Sequence, residues 1–261
     1  MAILNITPDS FFADSRMTDP DAVGRRVREC LAQGAHFIDI GGYSSRPGAD
    51  EVPPDEEWRR VELGLSVVRR LAPDMPVSVD TFRSSVVEQA VARFGRVIVN
   101  DISAGELDKE MSATVARLDL PYIAMHMKGD PRTMQSLTDY RRDIVSEVCD
   151  YFRRRVGELT AAGIRRERII LDPGFGFAKT AEQNYELLAG LHHLCALGFP
   201  VLAGVSRKSM IYRVLDVSPA ESLAGTVALG WECLRQGASI LRVHDVREAV
   251  DTVRLFKFFR S

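Results

Sequence analysis

Short apolar runs and longer segments of helical period alternate along the whole chain, and this alternation restricts the fold more than any other feature. Eight runs read as strands: Ile3–Ile6, Phe37–Gly41, Val77–Asp80, Val97–Ile102, Tyr122–His126, Ile169–Asp172, Val201–Gly204 and Ile240–Val243. Their continuous apolar character is that of parallel strands covered by helices. Between them, Pro20 and Pro54 stand where first-turn prolines belong, and Trp58, Val61, Leu65, Val68 and Leu71 recur at three- and four-residue spacing to form one apolar stripe. Gly34, Gly163, Gly198 and Gly237 each close such a segment just before the next strand, as expected of a residue that tolerates the left-handed backbone at a helix end. Eight strands each followed by a helix is the count that closes a (β/α)8 barrel, and 261 residues is a usual size for that fold. The expectation is therefore an α/β chain, a TIM barrel, with residues 1–261 forming a single domain. An open doubly wound sheet would carry a glycine-rich fingerprint after its first strand. This chain has Thr7-Pro8-Asp9-Ser10-Phe11 there instead.

Composition removes several classes of partner. The 34 basic and 36 acidic side chains leave a net charge of -2, without the clustered basic charge that nucleic acid or an anionic membrane requires. Cys30, Cys149, Cys195 and Cys233 are isolated in helical segments and read as reduced thiols, not as a disulfide framework or a zinc site. No apolar run approaches the roughly 18 residues of a membrane span, and Met1–Ile6 lacks the charged start of a signal peptide, so a cytoplasmic protein is expected.

In a barrel the chemistry sits at the C-terminal ends of the strands. Polar residues occupy those ends almost throughout: Asn5, Asp39, Asp80, Asn100 and Asp101, His126, Asp172, the run Ser206-Arg207-Lys208, and Arg242 with His244. Asp80, Asn100 and Asp172 could each cap a following helix, but three of them at one mouth suit a ligand rich in hydrogen-bond donors, such as an aminopyrimidine ring. Arg242 and His244 are two apart and share a face, and Arg242-Val243-His244-Asp245 before a helix is a phosphate site by position and chemistry. Lys208 extends that basic rim, and a Schiff-base role for it stays open. In the fifth strand Met125 and Met127 share one face, which makes Met125 an apolar wall for a flat ligand and His126 a structural residue. The segments Thr7–Met17 and Tyr43–Pro54 have the length of functional lids, and Phe177 stands in the turn after the sixth strand.

Together, Asn5-Ile-Thr-Pro-Asp-Ser-Phe11, Gly41-Gly-Tyr-Ser-Ser-Arg-Pro-Gly48, Ser78-Val-Asp-Thr81, Asn100-Asp-Ile102, Met125-His-Met127, Asp172-Pro-Gly-Phe-Gly176, Ser206-Arg-Lys-Ser209 and Arg242-Val-His-Asp245 resemble the dihydropteroate synthase family, in order and over essentially the whole chain. The resemblance implies an enzyme of folate biosynthesis that joins 6-hydroxymethyl-7,8-dihydropterin diphosphate to 4-aminobenzoate and releases pyrophosphate. It implies pterin-reading roles for Asp80, Asn100, Asp172 and Lys208, with Met125 and Gly204 lining the slot. Arg242 resembles the residue that covers the pterin and reaches the diphosphate, and His244 its phosphate partner. Asn5 matches the position that binds Mg2+, Ser45 a diphosphate-binding position, Ser209 the residue near the aminobenzoate carboxylate, and Phe177 the residue packed on that ring. Two positions depart from the family pattern: Tyr43 stands where Glu or Gln is more frequent, and Ser45 where Thr is usual. A methyltetrahydrofolate-binding methyltransferase shares the barrel but is not expected to combine the Ser206–Ser209 run with the Thr7–Phe11 loop. A catalytically silent pterin binder would have no need of Asn5, Arg242 and His244 together. The family also implies a homodimer, for which Val253, Leu255, Phe256, Phe258 and Phe259 offer either an interface or a face buried against the barrel.

Overall fold

The computed structural model describes residues 1–7, 19–44 and 51–260. Among these, eight strands appear in the expected order: β1 (Ala2–Asn5), β2 (Ile38–Gly41), β3 (Val77–Asp80), β4 (Ile98–Asp101), β5 (Tyr122–Met125), β6 (Ile169–Asp172), β7 (Leu202–Ala203) and β8 (Ile240–Leu241). The first six pair in parallel with their sequence neighbours, and β7 pairs in parallel with β8. Single bridges, Leu171 to Val201 and Ala2 to Val243, join the two sheets into a closed ring. The Leu171 N–H donates to Pro200 O at 2.9 Å and the Ile3 N–H to Val243 O at 2.9 Å. β7 and β8 are shorter than the sequence suggests, because pairing is irregular at these junctions. The Val201 carbonyl, for example, accepts from both Ser239 N and Ile240 N.

The helices are α1 (Pro20–Ala32), α2 (Pro54–Leu71), α3 (Ser84–Phe94), α4 (Met111–Leu118), α5 (Ile144–Ala161), α6 (Ala181–Ala189), α7 (Leu191–Cys195), α8 (Ser209–Tyr212), α9 (Leu223–Arg235) and α10 (Val246–Arg260). The α1 start follows from local chemistry: Asp19 accepts from the Asp21 and Ala22 N–H groups, and Pro20 follows with its φ already set for a helix. On α2 the stripe Val61, Leu65 and Val68 is fully buried against β1 and β2 residues such as Leu4, Ile38 and Ile40. The four helix-closing glycines all take positive φ, between 79° at Gly198 and 105° at Gly237. A second, larger core cluster joins β4–β8 to the helices from α4 onward around Tyr122, Phe152 and Phe175. All four cysteines are free thiols. No helix among the described residues is long and apolar enough to cross a membrane. Since every strand runs the same way, their C-terminal residues meet at one mouth.

Candidate active site

Arg242, just past β8, is the electrostatic centre of that mouth. Its Nε donates to Asp39 Oδ2 at 2.6 Å and its Nη2 to Asp80 Oδ2 at 2.6 Å, so one guanidinium ties the ends of β2 and β3 to β8. The Asn100 amide on β4 donates to the same Asp39 oxygen at 3.2 Å. Asp39 is completely buried, and its other oxygen, Oδ1, has no partner among the described residues. Burial pushes the Asp80 carboxyl up to about 7, with Arg242 opposing and the Asp39 charge adding to the rise. None of Asp80, Asn100 or Asp172 caps a helix: the residues preceding α3, α4 and α6 are Arg83, Glu110 and Thr180. The polar strand ends are thus free of the capping role that was their alternative.

The turn after β6 forms the opposite wall. Asp172 accepts from the Gly174 N–H at 2.8 Å, and Gly174 takes φ +68° where the turn passes so close to β5 that a Cβ would lie 2.1 Å from His126 O. Burial raises the Asp172 carboxyl, and the Lys208 charge opposes this. Lys208 Nζ donates to the Phe175 carbonyl and lies 4.8 Å from the centre of the Phe177 ring. Burial lowers its ammonium to about 8, with the Asp172 charge holding it up. Behind this turn Lys179 Nζ donates to Gly174 O at 3.0 Å and Phe177 O at 2.9 Å and meets His126 Nδ1 at 3.0 Å. His126 is buried against the Tyr151 ring, 4.8 Å between centroids, on the helix side of β5, as the alternation with Met125 requires.

On the remaining side, His244 packs against Ser206, whose Oγ is 3.1 Å from His244 Nδ1. Arg207, at φ +54°, forms a two-pronged pair with Asp245, Nε to Oδ2 at 2.9 Å and Nη2 to Oδ1 at 2.7 Å. This pair locks the loop after β7 to the loop after β8. Between these walls lies a cleft of about 1330 Å³, counting its open mouth. Asn5, Asp80, Phe177, Gly204, Lys208, Ser209, Arg242 and His244 all line it.

Residues 1–244 match the family described as pterin binding enzyme. The chain is 41% identical over 257 residues to the dihydropteroate synthase of Haemophilus influenzae, covering 98% of this chain and 92% of that one. Its fold is similar to the Yersinia pestis dihydropteroate synthase solved with a sulfonamide drug complex, with a TM-score of 0.92 and 38% identity over 99% of this chain and 93% of that one. It is equally similar to the Xanthomonas albilineans dihydropteroate synthase with 4-aminobenzoic acid: TM-score 0.91, 38% identity, 100% and 92% coverage. The chain belongs to the dihydropteroate synthase family.

Of the residues that the family pattern singles out, eight gather around the cleft. Asn100, Met125 and Asp172 lie beneath its surface, each no more than 6% exposed. Met125 packs with Ile102, Met127 and Met134 in an apolar cluster that Phe82 and Phe177 join. Ser45, most of Thr7–Met17 and part of Tyr43–Pro54 lie outside the described residues. Asp39, Ser206 and Lys179 have no role in the family pattern read from the sequence, yet they hold Arg242, His244 and the β6 turn. For Asp39 a signal was present, since a charge between Ile38 and Ile40 in a covered strand requires a partner. For the other two, nothing local marks the contact.

No group of three or more acidic, histidine or cysteine side chains that could hold a metal occurs among the described residues. Asn5 offers a single amide oxygen at the mouth. That donor set fits Mg2+ carried largely by substrate phosphates and water, which is how this small, reluctantly dehydrated ion is usually bound.

Proposed function

We propose that this chain is a dihydropteroate synthase, condensing 6-hydroxymethyl-7,8-dihydropterin diphosphate with 4-aminobenzoate to 7,8-dihydropteroate and pyrophosphate. The observation that carries the reading is the arrangement of one cleft: two cations, Lys208 and Arg242, above buried carboxylate and amide groups from four strand ends, with Asn5 and His244 at the rim. The 41% identity to a dihydropteroate synthase supports it over nearly the full length of both chains.

In this reading the pterin enters between Arg242 and the turn after β6. Asp172, ionised, accepts from the pterin amino and ring N–H groups, Lys208 donates to the ring carbonyl, and Asn100 and Asp80 read the far edge. Met125 and Gly204 shape the slot; a Cβ at Gly204 would reach 3.8 Å from the Arg242 Cβ and narrow it. Pterin binding draws Asp80 away from Arg242, which then turns to the diphosphate beside His244; Ser45 keeps the diphosphate-binding role that the family pattern gives its position. The aminobenzoate ring lies on Phe177, with its carboxylate near Ser209 and the α8 start. The carbon–oxygen bond to the diphosphate breaks, the bonding pair leaves with pyrophosphate, and the positive charge that develops on the exocyclic methylene spreads into the pterin. The lone pair of the neutral amine then forms the carbon–nitrogen bond, which moves the positive charge to that nitrogen, and the nitrogen gives up a proton to solvent. Orientation of the amine and stabilisation of the leaving anion carry the rate, and no covalent nucleophile is required. Mg2+, held by Asn5 together with the diphosphate oxygens, would supply further neutralisation of the leaving group.

The test is incorporation of labelled 4-aminobenzoate into dihydropteroate by the purified protein, with and without Mg2+. Metal-dependent product is expected. Binding of pterin diphosphate without product would replace the reading with a silent pterin binder, and no binding of either substrate would overturn it altogether.

We further propose a cytoplasmic homodimer. Leu255, Phe258 and Phe259 on α10 are 64%, 83% and 77% exposed, while Phe256 packs into the core; Trp231 on α9 stacks edge-on against Phe256 and Phe259. This apolar face suits a second copy of the chain. Sedimentation of the protein beside Phe258→Asp checks it, a monomer in both cases being the contrary result.

A further inference from the structure

The Ser206 hydroxyl has one proton and two contacts. The His244 backbone N–H, which can only donate, points to Ser206 Oγ at 3.2 Å, and His244 Nδ1 lies 3.1 Å from the same oxygen. Ser206 is 3% exposed, and among the described residues Nδ1 is the one acceptor within reach of its proton. Were Nδ1 protonated, two donors would converge on Oγ and the hydroxyl proton would be stranded. Were Nδ1 bare, all three groups would be satisfied. We propose that Ser206 is a positioning residue that fixes His244 as a neutral imidazole with its proton on Nε2, so that the cleft meets a ring N–H donor and not an imidazolium. This rests on the synthase reading only in taking the recipient of that N–H to be a phosphate oxygen of the substrate.

The charged groups around the ring point the same way. Burial lowers the His244 imidazole to about 3, Arg242 lowers it further, and of the nearby charges Asp245 raises it while Arg207 and Arg26 lower it. Asp245 is already engaged by Arg207, and Arg26, reaching across from α1, donates to the His244 carbonyl at 2.5 Å. His244 is therefore held from the β7 loop through its ring and backbone N–H and from α1 through its carbonyl, with the cations around it outnumbering the anion. Its neighbour Arg242 supplies the positive charge of the phosphate site, and the neutral ring adds a directional hydrogen bond that does not change through the physiological range.

The experiment is nitrogen-15 NMR of the imidazole side chains in the full-length protein from pH 5 to 8, with His244→Gln identifying the resonance among five histidines. The expected result is the Nε2–H tautomer throughout, without titration. In Ser206→Ala the signal should become a mixture of tautomers, and Ser206→Thr, which keeps the hydroxyl, should restore the single form. Turnover should fall about tenfold in the alanine variant and recover in the threonine variant, with the KM for 4-aminobenzoate unchanged in both. An Nδ1–H tautomer or an imidazolium at pH 7 in the parent protein would overturn the proposal. So would an alanine variant with an unaltered spectrum. A correct tautomer in a protein that makes no dihydropteroate would leave the Ser206 assignment standing and sink the synthase reading alone.

Discussion

Replacing Asp39 by alanine tests the electrostatic centre of the barrel most directly. The substitution deletes two hydrogen bonds to one fully buried oxygen: from Arg242 Nε at 2.6 Å and from the Asn100 amide at 3.2 Å. A hydrogen bond to a charged group contributes about 1.5–3 kcal/mol, and the stranded Asn100 amide, 4% exposed, costs a further ~1–3 kcal/mol. Two effects offset this: the carboxylate no longer has to be desolvated, and its unpartnered Oδ1 disappears. Arg242 also keeps its 2.6 Å contact to Asp80. The net loss should therefore be about 3 kcal/mol, at the low end for breaking a buried pair. For a chain of this size that is roughly 6–12 °C in Tm. Because the guanidinium is then held at one point instead of two, affinity for pterin diphosphate should drop about tenfold, equivalent to about 1.4 kcal/mol. Urea denaturation and direct binding of pterin diphosphate measure the two effects on one preparation. A variant within about 0.5 kcal/mol of the parent, with unchanged affinity, would refute the idea that Asp39 anchors Arg242.

Gly174→Ala should destabilise by about 2–5 kcal/mol, from about 1–2 kcal/mol for a left-handed residue and about 1–3 kcal/mol for displacing β5 from the new Cβ; thermal unfolding at the parent temperature would contradict the packing described for the β6 turn. Lys208 titrates near 8 instead of its ordinary 10.5, because burial disfavours its ammonium. Affinity for pterin diphosphate should hence fall as pH rises through about 8, while folding stability increases between about 8 and 10.5, where the unfolded chain binds the proton more tightly. Lys208→Met should abolish both trends, and a flat binding profile in the parent would remove Lys208 from the pterin site. His126→Ala should cost about 2–3 kcal/mol of stability, since it empties a space between aromatic rings and takes a partner from Lys179. A stable but inactive variant would instead put His126 in the chemistry.

What the chain alone determines is what depends on neighbours in sequence. Strand runs, helix stripes and closing glycines are local signals, so the eight-fold alternation and the mouth where Asn5, Asp80, Lys208, Arg242 and His244 converge were legible without coordinates. So was the division of labour on β5, because alternation sends His126 and Met125 to opposite sides. Only the tertiary structure decided who holds whom. Arg242 and Asp39 are 203 positions apart, and Ser206 and His244 are 38 apart. No period relates such residues; Arg242 and Asp39 meet because barrel closure brings the last strand beside the first ones, and Ser206 and His244 because β7 and β8 pair side by side. The lengths of β7 and β8 were likewise set by the geometry of closure and not by their own apolar runs. The free choice of Asp80 and Asn100 between capping a helix and facing the mouth was settled in the same way. Each helix starts several residues farther on, and a buried polar group takes whatever partner the closed ring puts within reach.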